Sequence, residues 1–382
     1  MAEDAVCDVL GEEFVEPAYH QSTLGDVLPA VSRALGVDAG LDGTGMSFPE
    51  APAYVVLLVD ALGRELLAAH PREAPFLHGM LAGQPAATAG VPSTTATSLT
   101  SLGTGLTPGQ HGLVGFTSRI PGTDRLINHL FWDKQVDPLE WQPHQTGFAR
   151  LAAAGVETTV VSKREFRDSG LTRAGQRGAR YVGADRVGER IVGVVAAAAA
   201  SPSLTYVYEG DLDWTGHRYG VDSPQWRAQL AAIDAMVEQL REALPRQVRL
   251  VVVADHGMVD SAPSSRVDVD DHGELREGLV LLGGEARFRH LYCARGAVDD
   301  VVAAWRGVLG DRARVLLRGE AIARGWFGTV DPAVLPRLGD VLVAARGDLA
   351  VISSADFPYE ARLVGLHGSL THAEMMIPVL VS

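Results

Sequence analysis

Apolar positions along the chain follow two rhythms. From about Tyr54, short and nearly unbroken apolar runs alternate with stretches of helical spacing. The runs AYVVLLVD (53–60), VETTVVS (156–162), LTYVYEG (204–210) and VRLVVVAD (248–255) read as strands. Helices are predicted over GRELLAAH (63–70), the Ala-rich IVGVVAAAAA (191–200) and PQWRAQLAAIDAMVEQLREAL (224–244). Strands that are apolar on both faces and separated by helices predict a mostly parallel sheet covered on both sides. Ligands of such sheets bind beyond the carboxyl ends of the strands. That places Asp60, the segment Glu209–Asp213 and the pair Asp255-His256 where chemistry is expected.

The second rhythm runs from about 273 to 350. There GLVLLGGEARFRHLYCA, VDDVVAAWRGVL, ARVLLRGEAI and DVLVAARGDLAVIS predict a small α+β unit with its own strands and one main helix. The chain then returns through LVGLHGSLTHAEMMIPVLVS, whose last apolar run reads as another strand. The expected organisation is an N-terminal segment (1–50), a core domain (51–265 and 351–382) and an inserted α+β cap (266–350). The first segment carries a possible helix, TLGDVLPAVSRAL, and no evident chemistry.

Composition narrows the function classes. Hydrophobic residues at 47% supply a sizeable core, and 33 basic against 47 acidic residues give a net charge of −14. That balance argues against a nucleic-acid scaffold or an anionic membrane surface as partner. A small phosphorylated or phosphonate substrate stays compatible, because metal ions invert the local field. Cys7 and Cys293 are too few and too far apart for a disulfide framework or a thiolate metal site. The start, MAEDAVCDVLGEE, is acidic where a secretory signal is basic and then apolar, and no run approaches a membrane span. A cytoplasmic protein is the expectation.

Four loops offer ligands of one kind: Asp60, Asp213 with His217 four residues on, Asp255 with His256, and His367 in LHGSLTH. Three Asp and three His without a thiolate suit a dinuclear site of divalent ions, zinc above all. Each motif alone has an ordinary structural explanation, since Asp caps helices and Gly turns chains; their coincidence at strand ends does not. The stretch GVPSTTATSLTSLGTGL (90–106) adds hydroxyls where a turn runs into a helix at about Thr95. A hydroxyl there faces unpaired N–H groups and the positive end of the helix dipole, and a metal ion would make it a nucleophile. Ser93 and Thr94 compete with Thr95 for that role. His372 competes with His367, whereas His111, His272 and Trp214 read as structural.

The ordered set Asp, Pro-x-x-Thr, Asp-x-x-x-His, Asp-His-Gly and His-Gly resembles the alkaline phosphatase superfamily. Within it, the chain resembles nucleotide pyrophosphatase/phosphodiesterases and the related phosphonoacetate hydrolases, over roughly residues 50–382. The resemblance implies an alkaline phosphatase-like α/β sandwich with helices on both faces of the sheet. It implies one zinc ion on Asp213, His217 and His367, and another on Asp60, Asp255 and His256. Thr95 would bridge to the second ion and attack phosphorus, giving a phospho-threonine intermediate. The implied activity is a phosphodiesterase; a phosphonate hydrolase, a phosphomonoesterase and a non-catalytic metal binder are the alternatives. Sulfatases need a Cys/Ser-x-Pro-x-Arg signature that STTATSLTS lacks, and phosphoglycerate mutases use a serine nucleophile.

Two positions depart from the family's pattern. Thr94 stands where many members carry Lys, and Phe116 stands where they carry an Asn that holds a phosphate oxygen. Lys163 and Arg164, with Arg167 nearby, cluster just past a strand end and offer either a compensating donor or a solvated basic loop.

Overall fold

The computed structural model describes residues 14–382; the acidic start, with Cys7, lies outside the described residues. Seven strands form the main sheet: β1 (Ala53–Val59), β2 (Ala86–Thr88), β3 (Glu157–Ser162), β4 (Arg180–Gly183), β5 (Ser203–Glu209), β6 (Val248–Val253) and β11 (Met376–Val381). Their order is β2-β11-β6-β1-β5-β3-β4. The five from β6 to β4 run parallel, while β11 pairs antiparallel with β6 and β2. The central strand β1 is buried at all seven positions, as its unbroken apolar run requires. Four predicted strands and the final apolar run thus occupy one sheet.

Register sets the site. Leu58 pairs with Val253 and Val59 with Glu209, so the carboxyl ends of β6, β1 and β5 finish level. Asp60, Asp255 and the segment from Glu209 therefore emerge side by side. Two helices matter beyond those ends: α1 (Thr95–Thr104), which follows the hydroxyl-rich turn, and α2 (Asp211–Tyr219). Every residue of α1 is buried, which explains its hydroxyls. Thr97 donates to the Leu113 carbonyl, Ser98 to the Asp255 carbonyl at 2.9 Å, and Ser101 contacts His111. Small polar side chains let a buried helix bond its neighbours.

A second sheet is wholly antiparallel, in the order β7 (Leu279–Glu285), β8 (Phe288–Cys293), β10 (Val341–Ala345), β9 (Ala313–Leu317). Alternation along β10 sends Val341 and Val343 into a small core with Trp305 of helix α3 (Val298–Leu309). Leu342 and Ala344 face the main core instead. This sheet is thus buried on both sides, one of them against the parent sheet's layer. Buried Arg287 holds Glu374 with two bonds, Nε to Oε1 at 2.9 Å and Nη2 to Oε2 at 2.6 Å, and buried Arg289 holds Glu360. Among the described residues no helix is long and apolar enough to cross a membrane.

Two of the buried histidines outside the predicted site, His129 and His290, bond the backbone. The His290 Nε2–H donates to the Val114 carbonyl, and its Nδ1 accepts from the Gly339 N–H. His129 donates Nδ1–H to the Gly115 carbonyl. Burial pushes both imidazoles down from 6.5 to about 4. Because the folded values are depressed, their contribution to stability is complete above about pH 6.5 and is lost as pH falls towards 4. Urea midpoints should therefore decline across that window. His290→Asn, which keeps an acceptor for Gly339 but does not titrate, should flatten the decline while costing roughly 1–3 kcal/mol at neutral pH.

Candidate active site

The three carboxylates emerge from adjacent strand ends and present bare oxygens to one another. Asp60 accepts from the Tyr208 hydroxyl at 2.5 Å through Oδ2, and its Oδ1 is buried without a hydrogen-bond partner. Asp255 accepts from the N–H groups of Ala61 and His256 through Oδ1, and its Oδ2 is likewise bare. Asp213 Oδ1, in the first turn of α2, is the third.

The histidines answer this pattern. Each has Nδ1 against a backbone carbonyl: His217 on Gly365 at 2.7 Å, His256 on Gly257 at 2.9 Å and His367 on Ser93 at 3.0 Å. Those carbonyls assign the proton to Nδ1, which leaves a lone pair on each Nε2. His256 Nε2 lies 3.4 Å from Asp60 Oδ1 and 3.3 Å from Asp255 Oδ2. Asp213 Oδ1 lies 3.4 Å from His217 Nε2 and 3.7 Å from His367 Nε2. Burial, then the Asp255 and Asp213 charges, push the Asp60 carboxyl well up; burial raises Asp255 too. Burial and the two neighbouring imidazoles push His367 well down. Lone pairs facing carboxylate oxygens in a dry site repel unless a cation lies between them. The donor set therefore fits metal ions, with the Gly365, Gly257 and Ser93 carbonyls already orienting the imidazoles.

Two compact groups can hold one: Asp60, Asp255 and His256, and Asp213, His256 and His367. The first is the triad expected from the sequence. In the second, His256 takes the place expected for His217, because its ring stacks on His367 with centroids 3.7 Å apart. His217 keeps its contact with Asp213 through the adjacent turn of α2.

Thr95 opens α1, with Thr94 as the extended residue before it. Its Oγ1 lies 3.3 Å from His256 Nε2 and 3.4 Å from Asp60 Oδ2. The hydroxyl thus meets the first ligand group at the positive end of a buried helix. A bridge between Ser93 and Gly368 fastens this turn to the loop of His367. Ser93 itself donates to the Ser369 carbonyl and is spent there. His372 is exposed and paired with Glu65, away from the cluster.

A cleft of about 550 Å³ opens over Thr95, His217 and His367. Phe116, Phe131, Trp214 and Tyr359 wall it, and Glu285 of β7 points in from the second sheet. Lys163 and Arg164 are not among its lining residues. Lys163 Nζ is held by Asp211 at 2.6 Å, and the Arg164 guanidinium by Asp185 and Glu189. Both cations are thus paired with carboxylates, as a solvated basic loop would be.

Residues 54–370 match the model of the type I phosphodiesterase / nucleotide pyrophosphatase family. The chain belongs to this family. It is a family of metal-dependent hydrolases acting on phosphoester or pyrophosphate bonds. A stretch of 60 residues is 40% identical to human ectonucleotide pyrophosphatase/phosphodiesterase family member 7, covering 14% of this chain and 13% of that protein. The fold matches murine ectonucleotide pyrophosphatase/phosphodiesterase 5 with a TM-score of 0.67 at 18% identity, over 86% of this chain and 87% of that one. An inactive threonine-to-alanine variant of the murine protein has been solved with AMP. Phosphonoacetate hydrolase from Sinorhizobium meliloti, in complex with phosphonoformate, matches with a TM-score of 0.66 at 18% identity, over 88% and 91% of the two chains. The alkaline phosphatase-like architecture expected from the sequence is thus the fold of this family member.

Tyr208 and Glu285 escaped the sequence reading. Tyr208 looks like any aromatic residue in a strand, and only the β1–β5 pairing sets its hydroxyl on Asp60. Gly257 of Asp-His-Gly has a steric reason: a side chain there would meet the Ala373 carbonyl oxygen at 1.9 Å. The Gly257 N–H donates to the Glu374 carbonyl at 2.8 Å, so the two segments cannot separate freely. Gly257→Ala should destabilise the fold by about 1–3 kcal/mol and displace His256. Thermal melts and metal-binding titrations would check both.

Proposed function

We propose that this protein is a zinc-dependent phosphodiesterase of the nucleotide pyrophosphatase type, working through a phospho-threonine intermediate. The observation that carries the reading is the place of Thr95. Its hydroxyl stands between Asp60 Oδ2 and His256 Nε2, at a helix start, on the floor of the cleft. The inactive threonine-to-alanine murine relative and its AMP complex support the same residue type and substrate class.

In this reading Asp60, Asp255 and His256 hold one divalent ion, and Asp213, His217 and His367 the other, with His256 close to both. When bound, the ions supply Lewis acidity and lower the pKa of a coordinated hydroxyl. Asp60 Oδ2 orients the Thr95 Oγ1, which, its proton lost to solvent, forms a bond to phosphorus while the bond to the leaving oxygen breaks, and that oxygen takes up a proton from water. Water then cleaves the phospho-threonine ester and restores the hydroxyl. The first-turn N–H groups of α1 face the phosphoryl oxygens and help hold their charge. The aromatic walls exclude water and accept the leaving group's apolar surface.

A phosphonate hydrolase is the second reading, favoured by Phe116, whose ring adds no donor to the cleft. Hydrolysis of bis-p-nitrophenyl phosphate, p-nitrophenyl phosphate and phosphonoacetate by zinc-loaded protein separates the readings. Diester turnover should dominate, and Thr95→Ala should lower it at least about 10³-fold. Turnover confined to phosphonoacetate would establish the second reading, and Thr95-independent turnover would remove the intermediate. Zinc added to chelator-stripped protein should raise the melting temperature by several degrees through mass action. His256→Ala should abolish most of that rise, and a wild-type protein indifferent to zinc would rule out the metal assignment.

A further inference from the structure

Glu285 is the one acidic side chain that enters the cleft from the second sheet. It ends β7, is buried, and neither of its carboxylate oxygens has a hydrogen-bond partner. It packs against the walls of the nucleophile's site. A side chain at Gly368, next to His367, would come within 2.7 Å of its Cγ, and one at Gly115 within 3.7 Å of its Oε1. Thr94, which precedes the nucleophile, and Phe116 line the same part of the cleft.

An ionised carboxylate in that position would be desolvated, with only the Thr94 hydroxyl and the Phe116 N–H turned towards it and neither within bonding geometry. A carboxyl that keeps its proton is neutral and carries an O–H that needs an acceptor. We propose that Glu285 is a catalytic residue: its protonated carboxyl donates a hydrogen bond to a phosphoryl oxygen of the substrate. It would supply the donor that Phe116 does not. This rests on the phosphoryl-transfer reading above and adds to it the group that holds the oxygen.

The surroundings agree. Burial pushes the carboxyl up to about 8. The groups facing it are the Thr94 hydroxyl and Phe116 N–H, which favour the charged form, Arg289 of β8, which does the same, and Glu360, which opposes it. Tyr359 stands beside them. Arg289 gives Nη2 to Glu360 and Nε to the Val351 carbonyl, while its Nη1 is buried without a partner, so it still draws Glu285 towards the charged form, and burial outweighs it. Oxygen donors of this kind, aimed at developing charge in a dry site, are each worth about 10²–10³ in rate.

Glutamine keeps a donor of nearly the same shape without titrating; alanine removes it. Zinc-loaded wild type, Glu285→Gln and Glu285→Ala should be compared on bis-p-nitrophenyl phosphate from pH 6 to 9.5, with metal content and melting temperature measured for each. Glu285→Ala should lose about 10²–10³ in kcat while binding zinc normally. Wild type should show an alkaline fall in kcat/KM near pH 8, and Glu285→Gln should stay within about tenfold of wild type and shift that fall upward. A Gln variant as impaired as Ala would overturn the proposal, since it would mean that the ionised carboxylate acts. An Ala variant as active as wild type would also overturn it. If the Ala variant fails to fold, an unchanged alkaline limb in folded Glu285→Gln does so instead. Wild-type protein that turns over no diester would refute the phosphodiesterase reading itself, whereas active wild type with indifferent Glu285 variants refutes only this step.

Discussion

Three carboxylate oxygens and three imidazole lone pairs converge on one dry volume, and the rest of the structure is arranged around that repulsion. Asp60, Asp213 and Asp255 each leave a buried oxygen bare, while backbone carbonyls of Gly365, Gly257 and Ser93 fix the histidines with their lone pairs inward. A chain folded for stability alone would pair such groups or replace them with apolar ones. The parallel sheet presents them on rigid, level strand ends, where a bound cation would compensate the charge.

The tension is confined by well-satisfied neighbours. Glu374 takes both arms of Arg287, the Thr371 hydroxyl and the Ser369 N–H, and its own carbonyl receives the N–H of Gly257. One buried residue thus ties the second sheet, the final strand and the Asp-His-Gly turn together. Losing one partner of such a pair leaves an uncompensated charge, so the clamp also discourages partial opening near the site. The second sheet thereby forms a wall of the cleft and brings Glu285 to face Thr94, from a part of the chain with no metal ligand of its own.

Much of this was legible along the chain. Unbroken apolar runs identified the central strands, since a doubly covered strand needs both faces apolar, and their ends located Asp60, Asp213, Asp255 and His256 before any pairing was known. Thr95 was legible as the first residue of a helix after a hydroxyl-rich turn. For Lys163 and Arg164 the choice between donor and solvated loop was not legible, because sequence proximity to a strand end says nothing of the carboxylates that fold against a cation. Asp211, Asp185 and Glu189 reach them first.

The sequence by itself determined the parallel sheet, the set of candidate ligand types and the hydroxyl-rich turn that opens a helix at Thr95, because strand periodicity and donor chemistry are local properties. Only the tertiary structure decided that His256 lies between both ligand groups, that Tyr208 holds Asp60, and that Glu285 enters the cleft. Those facts depend on strand register and on how one sheet packs against another, and distances between segments tens to hundreds of residues apart leave no mark in the local pattern.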